Sequence, residues 1–205
     1  MFHRVMKKLR QISIHSELHL RAVVEMVTER AIAEPKFSKV YADLCCCMKG
    51  LKVPMAEKRG TTLNFQKLLL NCCKMEFERA VEQVEERQIE DRQRHLEEGL
   101  EKTCVEVQQR SLGIFKFIGE LFKLKMVSEG IIHDCIVRLL KKSKSLRLKS
   151  TSTGHFNPLW SLCVLLCTTG KDLDFERAKP RMDQYFNQMK NPPTGFISCC
   201  RMWLI

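Results

Sequence analysis

The chain has 205 residues, a net charge of +11 and 44% apolar residues. Its length fits one large domain or two small ones, and its apolar share supports a packed core and argues against global disorder. The basic excess, with a pI near 9.2, favours an anionic partner such as RNA, DNA or an acidic protein face, against the plainer reading of a soluble protein that happens to be basic.

Residues 2–33 read as two helices. Phe2, Val5, Met6, Leu9 and Ile12 mark the face of the first; Leu18, Ala22, Val23, Met26, Val27 and Ile32 mark the second. Glu34-Pro35 ends that run, because the residue before a proline is pushed out of helical geometry. Ser38 is placed to cap a third helix with Val40, Tyr41, Leu44, Cys45, Met48 and Leu51 as its stripe, and residues 50–60, with Pro54, read as a loop. Leu63 to Phe77 reads as a fourth helix burying Phe65, Leu68, Leu69, Cys72 and Phe77. From 78 to 102 charged residues leave almost no apolar stripe, as in a solvated helix or a mobile linker.

The strongest signal lies in residues 110–140. Ile114, Phe117, Ile118, Leu121 and Phe122 fall three and four apart, so they share one helix face. Ile131, Ile132, Cys135, Ile136, Leu139 and Leu140 repeat the pattern after a break at 123–130, where Ser128 or Glu129 can cap. Neither stripe can be hidden alone, so each helix is expected to pack on the other and on its neighbours. Residues 141–157, and the family-based insertion within 143–157 noted below, read as a flexible loop rich in Lys, Ser and Thr. Leu159 to Thr168 reads as another helix, with Gly170 as its stop. Pro180 suits the first turn of a last helix lined by Met182, Tyr185, Phe186 and Met189. Asn191-Pro192-Pro193 breaks it, and an apolar tail follows to Ile205.

About eight amphipathic helices with no strand candidate of weight imply an all-α fold, and pairs recurring at roughly 40 residues match HEAT-type arrays. A compact helical bundle is the alternative. The 11 cysteines do not read as a disulfide framework: the number is odd, and Cys45-Cys46-Cys47, Cys72-Cys73 and Cys199-Cys200 are adjacent runs whose members rarely bridge one another. With no secretory signal at the start of the sequence, reduced thiols in cytosol or nucleus are expected. The longest apolar run, 159–167, is about half of a bilayer span, so no membrane partner is expected.

No catalytic constellation is found. His15 and His19 lie four apart on a helix, but Ser16 stands where a zinc-protease glutamate would be, so they read as surface histidines. Cys163 and Cys167 share a helix face among leucines and read as core. Neither a phosphate cradle nor a nucleophile elbow is present. Gly113 and Gly119 are spaced for close helix packing. A non-enzymatic binding module without cofactors is the remainder. Lys116, Lys123 and Lys125 near the central helices, and Lys171, Arg177, Lys179 and Arg181 around the last one, can track phosphates or an acidic protein.

Four strings sharpen this reading: Ala31 to Ser38 with Glu34-Pro35-Lys36-Phe37, Asn64-Phe65-Gln66-Lys67 onward to Asn71, Lys116-Phe117-Ile118-Gly119-Glu120-Leu121-Phe122-Lys123 onward to Met126, and Gly170 to Met189 with Phe175-Glu176-Arg177-Ala178-Lys179-Pro180-Arg181. Together they resemble the middle domain of eukaryotic translation initiation factor 4 gamma over residues 1–190. The resemblance implies a HEAT-like α-solenoid of about five antiparallel helix pairs, with a charged linker or helix at 78–102, a loop inserted within 143–157 and a disordered, non-family tail at 191–205. It implies a cytoplasmic translation-initiation scaffold module and no enzyme activity. Its implied partners are mRNA or internal-ribosome-entry RNA, the DEAD-box RNA helicase of the initiation complex and, indirectly, the cap-binding complex. Phe2 aligns with the end of a helicase-contacting segment, and Lys171, Lys179 and Arg181 are the expected RNA or helicase contacts. Trp160 stands where the family has an acid and Val164 where it has an arginine. Both ends of the helicase surface look clipped, so the alternative is a truncated remnant, or a decoy that titrates RNA or helicase.

Overall fold

A computed structural model describes residues 14–55, 60–93, 100–149, 158–173 and 176–189. The expected first helix with Phe2, residues 150–157 and the tail 191–205 lie outside the described residues. Among those described, the chain forms α1 (Glu17–Ala33), a 3-10 turn (Pro35–Phe37), α2 (Ser38–Met48), β1 (Lys52–Pro54), β2 (Thr62–Asn64), α3 (Phe65–Gln93), α4 (Leu100–Lys123), α5 (Glu129–Lys149), α6 (Pro158–Leu173) and α7 (Lys179–Met189). The fold is all-α and HEAT-like, as expected.

Local chemistry sets the boundaries. The Ser16 hydroxyl accepts the His19 N–H at 3.2 Å and caps α1, satisfying one of the orphan donors of a helix start. Its buried stripe is Leu20, Val23, Val24, Val27, Ala31 and Ile32; Leu18 and Met26 are exposed, so the helix is rotated from the expected face. Leu20, Val23, Val24, Val27 and Ala31 are the closer match to a helical period. Ser38 opens α2 but does not cap it: its hydroxyl donates to the Pro35 carbonyl at 2.9 Å. The expected loop at 50–60 instead begins a short antiparallel hairpin in which Val53 pairs with Leu63, both buried. Three residues per strand are too few to show an alternation.

The charged stretch is helical as far as Gln93, extending α3, and α4 resumes at Leu100. Phe77 and Ala80 anchor α3: the Phe77 ring meets Phe115 of α4 edge-on at 5.6 Å. Glu78 accepts a hydrogen bond from Arg138 of α5 at 2.9 Å. Cys73, rather than the expected Cys72, is the deeply buried thiol of this helix.

Helix α4 is the hub. It packs against α1, α2, α3, the 3-10 turn and, most extensively, α6. All five expected stripe residues are buried, and so is Phe115 at the edge of the stripe, seven residues before Phe122. Lys116, Glu120 and Lys123 form a polar strip on it, along the groove described below. Its sequence neighbour α5 touches it less and packs mainly on α6, so the central pair is joined by a short corner but not chiefly packed on itself. That corner closes as a Schellman motif: the Met126 N–H bonds the Leu121 carbonyl and the Lys125 N–H the Phe122 carbonyl, with Lys125 left-handed at φ 57. The Lys125 ammonium lies 5.3 Å from the Phe122 ring centre.

Two glycines let the neighbours close on α4. A Cβ at Gly113 would overlap the Ile32 carbonyl of α1, and one at Gly119 would lie 2.6 Å from the Thr168 methyl of α6. Across the α1–α4 seam, Arg110 donates to both oxygens of Glu29 and its hydrogen bonds hold that carboxyl below its ordinary value. This link is present above the ordinary carboxylate range and is lost as pH falls through the lowered value. Further on, α5 continues to Lys149, where a loop was expected from 141: Leu139, Leu140 and Ser143 are buried, with Lys141 and Lys144 exposed. Likewise α6 runs through Gly170 to the buried Leu173.

Cys45, Cys46, Cys47, Cys72, Cys73 and Cys135 are thiols, in line with the reduced state expected. Cys163 is buried, as expected, while Cys167, also expected in the core, is exposed. Burial pushes the Cys45 and Cys135 thiols up to about 12 and Cys73 well above its ordinary value.

At pH 8, iodoacetamide labels Cys47 in the native protein and leaves Cys45, Cys73 and Cys135 unmodified until denaturant is added, as peptide mass spectrometry reads out. Gly113→Ala destabilises by about 3 kcal/mol, because the obstruction is backbone and cannot rotate away, and calorimetry shows Tm falling by about 6–12 °C. In Gly170→Ala, where nothing lies within 4 Å of the new methyl, Tm rises instead.

Candidate binding groove and basic helix junction

Pro35 starts a 3-10 turn that carries Lys36 and Phe37 outward between α1 and α2. The close approach at Gly119 sets α6 beside α4. Between the turn, α4 and α6 runs a groove of about 860 Å³ lined by Ala33 to Phe37, by Gln109, Leu112, Lys116, Glu120 and Lys123, and by Trp160, Cys163, Val164, Cys167 and Thr168. Its walls are mostly apolar. Phe37 is 52% and Trp160 42% exposed, an unusual degree for two large aromatic side chains facing one cleft. Lys123 pairs with Glu120 at 3.1 Å on the rim, while Lys116 has no carboxylate partner among the described residues. Apolar walls with cationic edges suit an amphipathic chain segment or a stacked base.

The expected basic contacts lie elsewhere. Lys171 occupies the last turn of α6, where a cation complements the helix dipole. Lys179 and Arg181 occupy the first turn of α7, with Pro180 between them. All three are exposed, and none pairs with a carboxylate among the described residues. They flank one α6–α7 junction, with the exposed Arg177 in its turn, and none lines the groove. Phe2 is outside the described residues, so its place relative to either surface is not part of this geometry.

What holds the basic helix in place is a buried polar contact. Met182, Tyr185 and Met189 of α7 are buried, and the Tyr185 hydroxyl lies 3.0 Å from His133 Nδ1 of α5. The other ring nitrogen of His133 lies 3.2 Å from Glu129. Burial raises the Tyr185 phenol above its ordinary value. Lys144 of α5 donates to Gln188 of α7 at 2.9 Å. Neither surface contains a group of three or more His, Cys, Asp or Glu able to hold a metal, among the described residues, and His15 and His19 are both exposed. No helix among the described residues is long and apolar enough to cross a membrane.

The sequence pointed to the junction through its charge but not to the groove, whose walls come from three separate segments. The one available signal was the pair of departures at Trp160 and Val164, which put an aromatic and an aliphatic group where the resembled family carries an acid and a base.

Residues 1–191 match the model of the MIF4G domain family. The chain is 46% identical over 202 residues to eukaryotic translation initiation factor 4 gamma 3 of Mus musculus and 46% identical over 200 residues to eukaryotic translation initiation factor 4 gamma 1 of Mus musculus, covering 93% of this chain each time. It is 34% identical over 192 residues to eukaryotic translation initiation factor 4G of Arabidopsis thaliana, covering 92% of this chain. The chain spans only 11–12% of the length of these curated relatives.

Tyr185→Phe keeps the ring but leaves His133 Nδ1 buried without its partner. The expected loss is about 1–2 kcal/mol, measured by urea denaturation, with faster hydrogen exchange along α7 than along α4.

Proposed function

The chain belongs to the MIF4G-domain family, and on that premise we propose that it is a cytoplasmic translation-initiation scaffold module that binds mRNA and the DEAD-box RNA helicase of the cap-binding complex. The observation that carries the RNA half is the exposed set Lys171, Lys179 and Arg181, held at one junction with no carboxylate partner among the described residues, on a chain of net charge +11. Cations without partners release condensed counterions from a polyanion without first breaking protein ion pairs. The helicase half rests on the relatives, whose names are those of translation initiation factors, and on the family likeness of the strings around Phe37, Lys116 and Lys179. A scaffold of this kind acts by binding one arrangement of a two-lobed motor better than another, which shifts the motor's populations without chemistry of its own. Internal-ribosome-entry RNA falls within the same electrostatic class as mRNA, and contact with the cap-binding complex is indirect.

The departures at Trp160 and Val164 favour a second reading, a decoy that takes up RNA or helicase without completing the complex. The two readings separate on overexpression in a translating extract: the scaffold supports cap-dependent synthesis, and the decoy inhibits it.

The triple variant Lys171→Ala, Lys179→Ala, Arg181→Ala weakens binding to a single-stranded RNA probe and flattens the salt slope by up to ~3 units if all three contact phosphates. Wild-type protein stimulates the helicase ATPase. The proposal fails if purified protein neither binds RNA at low salt nor changes that ATPase.

A further inference from the structure

The groove stands apart from the α6–α7 junction, and the chemistry of its walls limits what can lie in it. Their backbone is already paired. α4 and α6 bond their own carbonyl and N–H groups as helices do. In the turn, the Phe37 N–H donates to the Glu34 carbonyl at 2.9 Å and the Ser38 hydroxyl donates to the Pro35 carbonyl at 2.9 Å. An extended segment would bring unpaired backbone groups against these walls and lose their solvation. A helix satisfies its backbone internally, so a helix is the kind of segment that an apolar cleft between helices admits.

The dimensions agree. Along α4 the lining runs from Gln109 to Lys123, about 21 Å, and along α6 from Trp160 to Thr168, about 12 Å, at 1.5 Å per residue. A helix of roughly two to four turns spans that length. Its apolar side chains, recurring three and four apart, would cover Phe37 and Trp160, which water otherwise reaches.

Charge narrows the choice further. The two carboxylates on the groove are both engaged, Glu34 with Arg30 at 3.5 Å and Glu120 with Lys123 at 3.1 Å. Lys36 and Lys116 line the groove with no carboxylate partner among the described residues. The charge left over is positive, one cation on the turn and one on α4. A nucleic acid strand matches these walls less well. Base edges need free donors and acceptors, yet the Thr168 hydroxyl already donates to the Val164 carbonyl at 2.7 Å, and the Glu120 carboxylate repels phosphate.

We propose that the groove is the docking site for an acidic amphipathic helix of a partner protein. Its apolar face lies on Phe37 and Trp160, and its Asp or Glu residues meet Lys36 and Lys116. Burial of the two aromatic side chains supplies the affinity, and the two cations set which helices are accepted. This surface does not rest on the RNA contact proposed at the α6–α7 junction.

The test uses the full chain and a fluorescein-labelled helical peptide of about 14 residues, with Leu at i, i+3, i+7 and i+10 and Glu on both flanks of that stripe. Fluorescence polarisation at low salt compares it with a scrambled peptide of the same composition, with the same peptide carrying Lys for each Glu, and with oligo(U). Binding at least about tenfold tighter than to either control peptide is expected. Trp160→Ala weakens it by at least about tenfold and leaves oligo(U) affinity unchanged. Lys116→Glu also weakens it, and exchanging one flanking Glu of the peptide for Lys restores part of the loss, a rescue that a misfolded variant does not give. Equal binding of the designed and scrambled peptides overturns the proposal, as does a Trp160→Ala variant that binds the designed peptide as wild type does. Loss of oligo(U) binding in Trp160→Ala makes the groove a nucleic-acid site and overturns it as well.

Discussion

The contact between the Gly113 backbone of α4 and the Ile32 carbonyl of α1 fixes how near these two helices can come. Only the absence of a side chain permits it. A second bare position, Gly119, lets α6 settle on the same helix from another direction. Between these crossings Ile114, Phe115, Phe117 and Ile118 are enclosed on several sides. The groove is a by-product of both approaches: α1 delivers the 3-10 turn to one wall, α6 forms the other, and α4 forms the floor. Enlarging either glycine would therefore disturb the cleft as well as the core, since the same two distances define them.

How much of this was legible in the letters depends on whether burial came from one partner or several. The stripes of α4 and α5 were readable because each presents a period of three and four to a neighbour. Phe115, at the edge of the α4 stripe, was left out of it, and the Phe77 ring of α3 is what covers it. The stripe of α1 was misplaced because Leu18 and Met26 look like core residues by type but fall on the wet face. Residues 141–149 look like a loop by composition, yet Leu139, Leu140 and Ser143 hold them in helix. Gly170 looks like a stop, yet the burial of Leu173 one turn later carries the helix past it. In each case tertiary packing outweighed a local preference of about 1 kcal/mol or less.

The candidate surfaces divide along the same line. Lys171, Lys179 and Arg181 are close in sequence, so their gathering at one junction could be read directly. The groove draws on residues 33–37, 109–123 and 160–168, and no linear pattern joins them.

Gly170 has one more consequence. A glycine inside a helix, with no neighbour to compensate, makes the final turn of α6 the cheapest part of that helix to unwind. Leu173, fully buried just beyond it, pins the far end. Lys171 thus rides on a short slack span between two fixed points. Such a span lets one cation follow an irregular string of phosphates while the helices on either side keep their places, giving compliance to a surface that is otherwise built on rigid rods.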